Sequence, residues 1–278
     1  MWMLPQGLIV LVIFNYLFAG LSFSSVYDKF LFYPSKTVHE PAQIRGTECQ
    51  VLNFKTSDGN ELSCWYYKKP TDSGLVLVSH GNGGNISHRS ILTGHLLKDT
   101  NCSVLLYDYE GYGNSQGKPS IKGILKDGLA AFDFGVEKLG YSPGKIIVYG
   151  ESLGCAVTCD IASQRKPQGI ILQSGFRNLP SIAKDIFGPL KIMPGFIFPE
   201  PKLDNEKLLR GEHAPLLIMH GTNDQVIPFH HSEELYRTAS PPKTFVPLEH
   251  SGHNDTMIAD GETFDRSIID FVTALNQD

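Results

Sequence analysis

Short apolar runs alternate with longer amphipathic stretches along most of this chain, and that alternation limits what it can fold into. Leu75–Ser79, Val104–Tyr107, Ile146–Tyr149, Gly169–Gln173, Leu216–Met219 and Thr244–Leu248 are each four or five residues long and rich in Val, Ile and Leu. Runs of that length bounded by Gly or Pro read as strands buried on both faces of a parallel sheet. Between them, Arg89–Lys98, Ile121–Leu139, Cys155–Gln164, Phe229–Arg237 and Phe264–Leu275 read as helices. In Ile121–Leu139 the residues Ile124, Leu125, Gly128, Leu129, Phe132, Val136 and Leu139 recur at spacings of three and four, which gives one buried stripe. Cys49–Lys55 and Glu61–Tyr67 flank Ser57-Asp-Gly-Asn60, a hairpin signal. The expected fold class is therefore α/β: a doubly wound, mostly parallel sheet led by an antiparallel hairpin. A chain of 278 residues is long enough for one such domain, expected over residues 27–278.

Sheets of this kind bind ligands beyond the C-terminal ends of their strands. The pentapeptide Gly150-Glu-Ser-Leu-Gly154 falls at one such end, between a strand and a helix. Small residues on both sides allow a sharp turn that lifts the Ser152 hydroxyl above the sheet, the geometry of a nucleophile elbow. An ordinary helix N-cap is the other use of a serine in this place. A serine hydroxyl needs a base, and the base needs an acid to orient it. Asp224 follows the run Leu216–Met219, and His253 follows Thr244–Leu248 with Gly252 before it to let the loop bend. An Asx-turn is the alternative use of Asp224. His250 and Asp255 are local competitors, the first close to the strand end and the second placed to cap the last helix. Two backbone amides should stabilise an oxyanion: Leu153, directly after the serine, and Asn82 in His80-Gly-Asn-Gly-Gly-Asn85. No Lys-Ser/Thr follows that glycine-rich loop, which argues against a phosphate-binding loop. His80 is expected to support the loop. No cofactor or metal is called for.

One segment breaks the alternation. Residues 175–205 carry Phe176, Ile182, Ile186, Phe187, Leu190, Ile192, Met193, Phe196, Ile197 and Phe198, interrupted by Pro180, Pro189, Pro194, Pro199 and Pro201. The prolines forbid a long helix, and the length exceeds an ordinary connection. A small apolar cap over the site is expected there.

The net charge of -5 and the lack of a basic block give no reason to expect nucleic acid. Five cysteines form no CxxC pair and no even set, so they read as reduced thiols, with Cys155 and Cys159 sharing a helix face in the core. At the N-terminus, Leu4–Phe23 carries no charge and is long enough for a membrane anchor over residues 1–26; a cleaved signal peptide is the rival. Lys29, Lys36 and Arg45 after it place the catalytic domain on the cytoplasmic side. The sequons at Asn85, Asn101 and Asn254, two of them beside the expected site, point the same way.

With these residues located, the chain resembles the α/β-hydrolase superfamily, whose triad runs in the order serine, acid, histidine. It is similar in particular to the membrane-anchored serine hydrolases that act on protein S-palmitoyl groups and their bacterial and fungal relatives. The resemblance rests on Phe30-Leu-Phe-Tyr-Pro34, Ser79-His-Gly-Asn-Gly-Gly84, Tyr107-Asp-Tyr-Glu-Gly-Tyr-Gly-Asn-Ser-Gln-Gly117, Tyr149-Gly-Glu-Ser-Leu-Gly154, His220-Gly-Thr-Asn-Asp224, Val226-Ile-Pro228 and Gly252-His-Asn-Asp255. It implies Ser152 as nucleophile, Asp224 as acid, His253 as base, and Asn82 and Leu153 as oxyanion donors. It also implies a membrane-tethered hydrolase of esters or thioesters, with lipids or lipidated proteins as partners. Glu110 stands where many relatives carry arginine or serine, which implies a more acidic entrance. A catalytically inactive scaffold of the same fold, serving as a binding or adaptor module, is the alternative from another class.

Overall fold

The computed structural model describes residues 31–186, 188–192, 194, 198 and 200–277. Among the described residues there are ten strands: β1 (Tyr33–Pro34), β2 (Cys49–Lys55), β3 (Glu61–Tyr67), β4 (Leu75–Ser79), β5 (Gly83–Gly84), β6 (Ser103–Tyr107), β7 (Ile146–Glu151), β8 (Gly169–Gln173), β9 (Leu216–Gly221) and β10 (Lys243–Leu248). Eight of them form one sheet in the order β10-β9-β8-β7-β4-β6-β3-β2. The pairings from β10 through to β6 are parallel, and β6-β3 and β3-β2 are antiparallel. β1 and β5 pair separately, parallel to one another.

The two-residue period of a strand sends alternate side chains to opposite faces, and here both faces are apolar. Leu75 and Leu77 of β4, Ile146 and Val148 of β7, and Leu216 and Ile218 of β9 join one core. Val76 and Val78, Ile147 and Tyr149, and Leu217 and Met219 join the other. The helices follow the same division. Of α1 (Ser90–Asp99), α2 (Ile121–Glu137) and α3 (Gly154–Gln164), the last two pack on the first core through Ile124, Phe132, Val157 and Ile161. α1 packs on the second core through Leu92 and Leu96. Gly128 of α2 is there for close approach: a Cβ would lie 2.3 Å from Val157 Cγ1 on α3.

Between β8 and β9 the chain forms α4 (Leu179–Ile186), a short 3-10 turn (Gly188–Ile192) and α5 (Asn205–Leu209). α4 has Pro180 in its first turn, where proline costs no hydrogen bond, and stops before Pro189. α6 (His230–Thr238), α7 (Thr256–Ala259) and α8 (Gly261–Leu275) complete the order. Asp185 of α4 binds α6: its Oδ2 lies 3.0 Å from Nε2 of both His230 and His231. α8 buries Phe264, Ile268 and Val272 against the second core. Cys155 and Cys159 are buried in the first.

The expected membrane segment Leu4–Phe23, and the boundary at residue 26, lie outside the described residues. Among the described residues no helix is long and apolar enough to cross a membrane. The longest, α2, has 17 residues and carries Lys122, Lys126, Asp133 and Glu137 around its apolar stripe, with Asp127 buried on it. The expected placement as a single-pass membrane protein with a cytoplasmic catalytic domain is corrected accordingly. Its glycosylation argument also weakens, because Asn85 Nδ2 is buried and donates to the Ser35 and Thr37 carbonyls at 3.0 and 2.7 Å.

Candidate active site

Ser152 sits at the tip of the turn from β7 to α3 with φ of 54°, a left-handed value that a non-glycine residue adopts at a cost. Its neighbours allow that turn. A Cβ at Gly150 would lie 2.6 Å from Cys155 Cα, and one at Gly154 only 1.9 Å from the Ser79 carbonyl oxygen. The Ser152 backbone N–H donates to the Gln173 carbonyl at 2.9 Å, which ties the elbow to β8.

His253 Nε2 lies 3.0 Å from Ser152 Oγ, and His253 Nδ1 lies 2.6 Å from Asp224 Oδ2. Asp224 is buried, and burial pushes its carboxyl up. Hydrogen bonds from His220 and His253, the charge of His253 and the Ile227 amide outweigh burial and hold it below the ordinary carboxylate range. Its Oδ1 accepts the backbone N–H of Val226 and of Ile227, both at 2.8 Å. An ionised carboxylate can only accept, so the His253 proton sits on Nδ1. The Nε2 lone pair then faces the serine hydroxyl.

The competitors fall elsewhere. His250 is exposed, with its backbone N–H donating to Asp260 Oδ2 at 2.9 Å. Asp255 occupies the N-cap position of α7 but makes no side-chain cap there. Its Oδ1 accepts the Gly252 N–H at 2.7 Å and so shapes the loop that carries His253. His80 is wholly buried; its Nδ1 donates to the Gly81 carbonyl at 2.7 Å, and burial lowers its pKa to about 3.

Asn82 and Leu153 both line the cavity in front of Ser152. Among the described residues no acceptor is paired with either backbone N–H. The Asn82 loop is held by its other groups. The Tyr112 hydroxyl lies 2.8 Å from the Asn82 carbonyl and 3.0 Å from its Oδ1, which also accepts the Tyr33 N–H at 3.3 Å. Asn82 Nδ2 donates to the Leu31 carbonyl.

The cavity measures about 460 Å³. Leu179, Ile182, Ala183 and Ile186, spaced three and four apart on α4, form one wall, with Phe176, Val226, Ile227 and Leu31 around them. Arg89 and Glu151 lie on the polar side, Arg89 Nε being 2.7 Å from Glu151 Oε2. Glu110 is not part of the entrance. It is buried with Oε1 accepting from Asn60 Nδ2 at 2.9 Å, so the acidic group at the cavity is Glu151 and the expectation for Glu110 is corrected. His220, Tyr112 and the Arg89–Glu151 pair are the participants that the sequence did not single out. His220 carried a signal, standing four residues before Asp224 at the end of an apolar run.

Residues 70–212 match the family described as Serine aminopeptidase, S33. An uncharacterized protein of Mycobacterium tuberculosis (strain ATCC 25618 / H37Rv) is 34% identical over 223 residues, covering 79% of this chain and 77% of that protein. Alpha/beta hydrolase domain-containing protein 17B of Xenopus tropicalis is 32% identical over 202 residues, covering 72% of this chain and 68% of its own. Among solved structures, the Pyrococcus furiosus esterase Pf2001 superposes with a TM-score of 0.73 at 18% identity, covering 88% of this chain and 98% of the esterase. That structural likeness carries the fold. The chain belongs to the α/β-hydrolase superfamily, within the family described as Serine aminopeptidase, S33, and is an enzyme of the serine-hydrolase type.

Proposed function

We propose that Ser152, His253 and Asp224 act as nucleophile, base and acid in the hydrolysis of an acyl ester or thioester. The observation that carries this is the continuous contact from Ser152 Oγ through His253 to Asp224, opening on the cavity. His253 Nε2 takes the Ser152 proton as Oγ attacks the carbonyl carbon, and Asp224 stabilises the imidazolium that forms. The Asn82 and Leu153 amides hold the oxyanion, each such donor typically contributing about 2.7–4 kcal/mol in the transition state. His253 returns the proton to the leaving alcohol or thiol. Water, deprotonated by His253, then releases the acid from Ser152.

Residues 27–278 form the catalytic domain in this reading, with 175–205 as its cap. The α4 wall favours an acyl chain over a polar group, as in a lipid or a lipidated protein. It also disfavours an amino-terminal peptide, which needs a free carboxylate. Among the described cavity-lining residues the acidic side chain is Glu151, and it is already paired with Arg89.

A fluorophosphonate probe tests the chemistry. The purified protein is expected to label, and Ser152→Ala to abolish labelling; labelling unchanged in that variant rejects the reading. Turnover of p-nitrophenyl esters of increasing chain length tests the acyl wall, with medium or long chains expected above acetate.

A further inference from the structure

Arg89 has no part in the proposed proton transfers, yet its side chain links two separate pieces of the site. It lies between the 3-10 turn Ile86–His88 and α1. Its backbone is held there: the N–H donates to the Ile86 carbonyl at 3.0 Å, and its own carbonyl accepts from the Thr93 N–H and hydroxyl at 2.9 and 2.8 Å. From that fixed stem the guanidinium reaches back. Nη2 donates to the Gly83 carbonyl at 3.0 Å, and Nε lies 2.7 Å from Glu151 Oε2. Gly83 adjoins Asn82, and Glu151 adjoins Ser152 and stands two residues before Leu153. The Glu151 carboxyl also packs on the same loop, since a Cβ at Gly81 would meet it at 3.4 Å. Both side chains of the ion pair are mostly buried, at 13% and 19% exposure, so water screens the link only weakly.

We propose that Arg89 is a positioning residue: it ties the Asn82 loop to the elbow and thereby sets the separation of the two oxyanion donors. The inference rests on the acyl-transfer reading given above. The guanidinium spreads its charge over three nitrogens, so it can meet the Glu151 carboxylate as an ion pair through Nε while Nη2 donates to the Gly83 carbonyl. A lysine ammonium can keep the charge contact with Glu151 but carries its donors on a single nitrogen. Arg89 also lines the cavity, so direct binding of substrate is the competing role, and the two differ in which kinetic constant they move.

Steady-state hydrolysis of one p-nitrophenyl ester by the full chain, Arg89→Gln, Arg89→Lys, Glu151→Gln and the Arg89→Gln/Glu151→Gln double variant tests it. Arg89→Gln is expected to lower kcat by about 10²-fold with KM within about twofold, as a small misplacement of reacting groups does. Arg89→Lys should recover part of that loss. Glu151→Gln, nearly isosteric, should also lower kcat, and the double variant should be no slower than the slower single, the non-additivity of one shared link. If Arg89→Gln does not fold, Glu151→Gln and Arg89→Lys still decide the matter. A raised KM with unchanged kcat, or additive losses, overturns the positioning role. A wild type that labels with fluorophosphonate alongside unimpaired variants rejects this inference alone. A wild type that neither labels nor turns over ester rejects the acyl-transfer reading, and this inference with it.

Discussion

His220 Nε2 lies 3.0 Å from Asp224 Oδ2, the same oxygen that His253 Nδ1 approaches at 2.6 Å. His220 Nε2 is also 2.9 Å from the Ile227 carbonyl, which can only accept, so this nitrogen carries a proton. The Ser232 hydroxyl, 2.6 Å from Nδ1, holds the ring from its other side. Asp224 is thus gripped by two imidazoles on one oxygen and two backbone amides on the other, from the end of β9, the β9–α6 connection and the His253 loop.

Replacing His220 by leucine is expected to raise the Asp224 pKa, because the hydrogen bond from His220 is the largest of the contributions that lower it. The carboxylate must be ionised to orient His253. Loss of activity on acidification should therefore begin at a higher pH in His220→Leu than in the wild type. Stability should fall as well, by about 1–3 kcal/mol for a buried acceptor left short of a donor. The pH dependence of kcat/KM, measured beside thermal melting, checks both; superimposable pH profiles count against the link.

Gly154 cannot take a side chain without moving β4, since a Cβ there falls 1.9 Å from the Ser79 carbonyl oxygen and 2.9 Å from that of His80. Both contacts are backbone, so no rotamer change relieves them. Gly154→Ala is expected to lose fluorophosphonate labelling of Ser152 and to melt well below the wild type. A control at Gly144, where a Cβ meets nothing within 4 Å, should leave labelling and melting unchanged.

Asp127 of α2 is wholly buried, and burial pushes its carboxyl up to about 8 although Oδ2 accepts the Glu110 N–H at 2.8 Å. An unfolded aspartate titrates near about 3.9. Between those values the folded chain binds more protons than the unfolded one, so this group makes stability fall as pH rises, by up to about 1.4 kcal/mol per unit. Asp108, raised to about 7 by burial, acts in the same sense, while His80, lowered to about 3, acts in the opposite one. Asp127→Asn keeps an acceptor for Glu110 and removes one of these slopes. Melting temperature should therefore drop less between pH 5 and pH 8 in the variant, and an unchanged drop counts against a carboxyl kept protonated by burial at this position.

The strands could be read from sequence because both faces of the sheet are apolar, so each appears as an unbroken run. The reading stopped short at Tyr149 and Met219, whereas β7 and β9 continue to Glu151 and Gly221. Those last residues are glycine or polar, and the ladder to the neighbouring strand holds them where composition gives no signal. The proposed triad could be drawn because each member follows a strand end, where the sheet gathers its loops. The support around it was less accessible. Arg89 and Glu151 meet only after two distant segments pack, and neither has a periodicity that marks it. Glu110, just after β6, looked like an entrance residue, but Asn60 of the β2–β3 hairpin covers it.

The apolar wall over Ser152 comes chiefly from one face of α4, and Ile182 stands at its middle, 8% exposed and facing the cavity. Aspartate there puts a charge against Leu179, Phe176 and the space an acyl chain needs, at a cost that only short substrates escape. α4 keeps its tie to α6 through Asp185, on the side that faces His230 and His231. Ile182→Asp is thus expected to retain most acetate turnover and fluorophosphonate labelling while losing at least about tenfold in kcat/KM for a long-chain p-nitrophenyl ester, the scale of a few lost methylene contacts at about 0.8 kcal/mol each. Equal losses for acetate and the long chain would place the acyl group elsewhere than along α4.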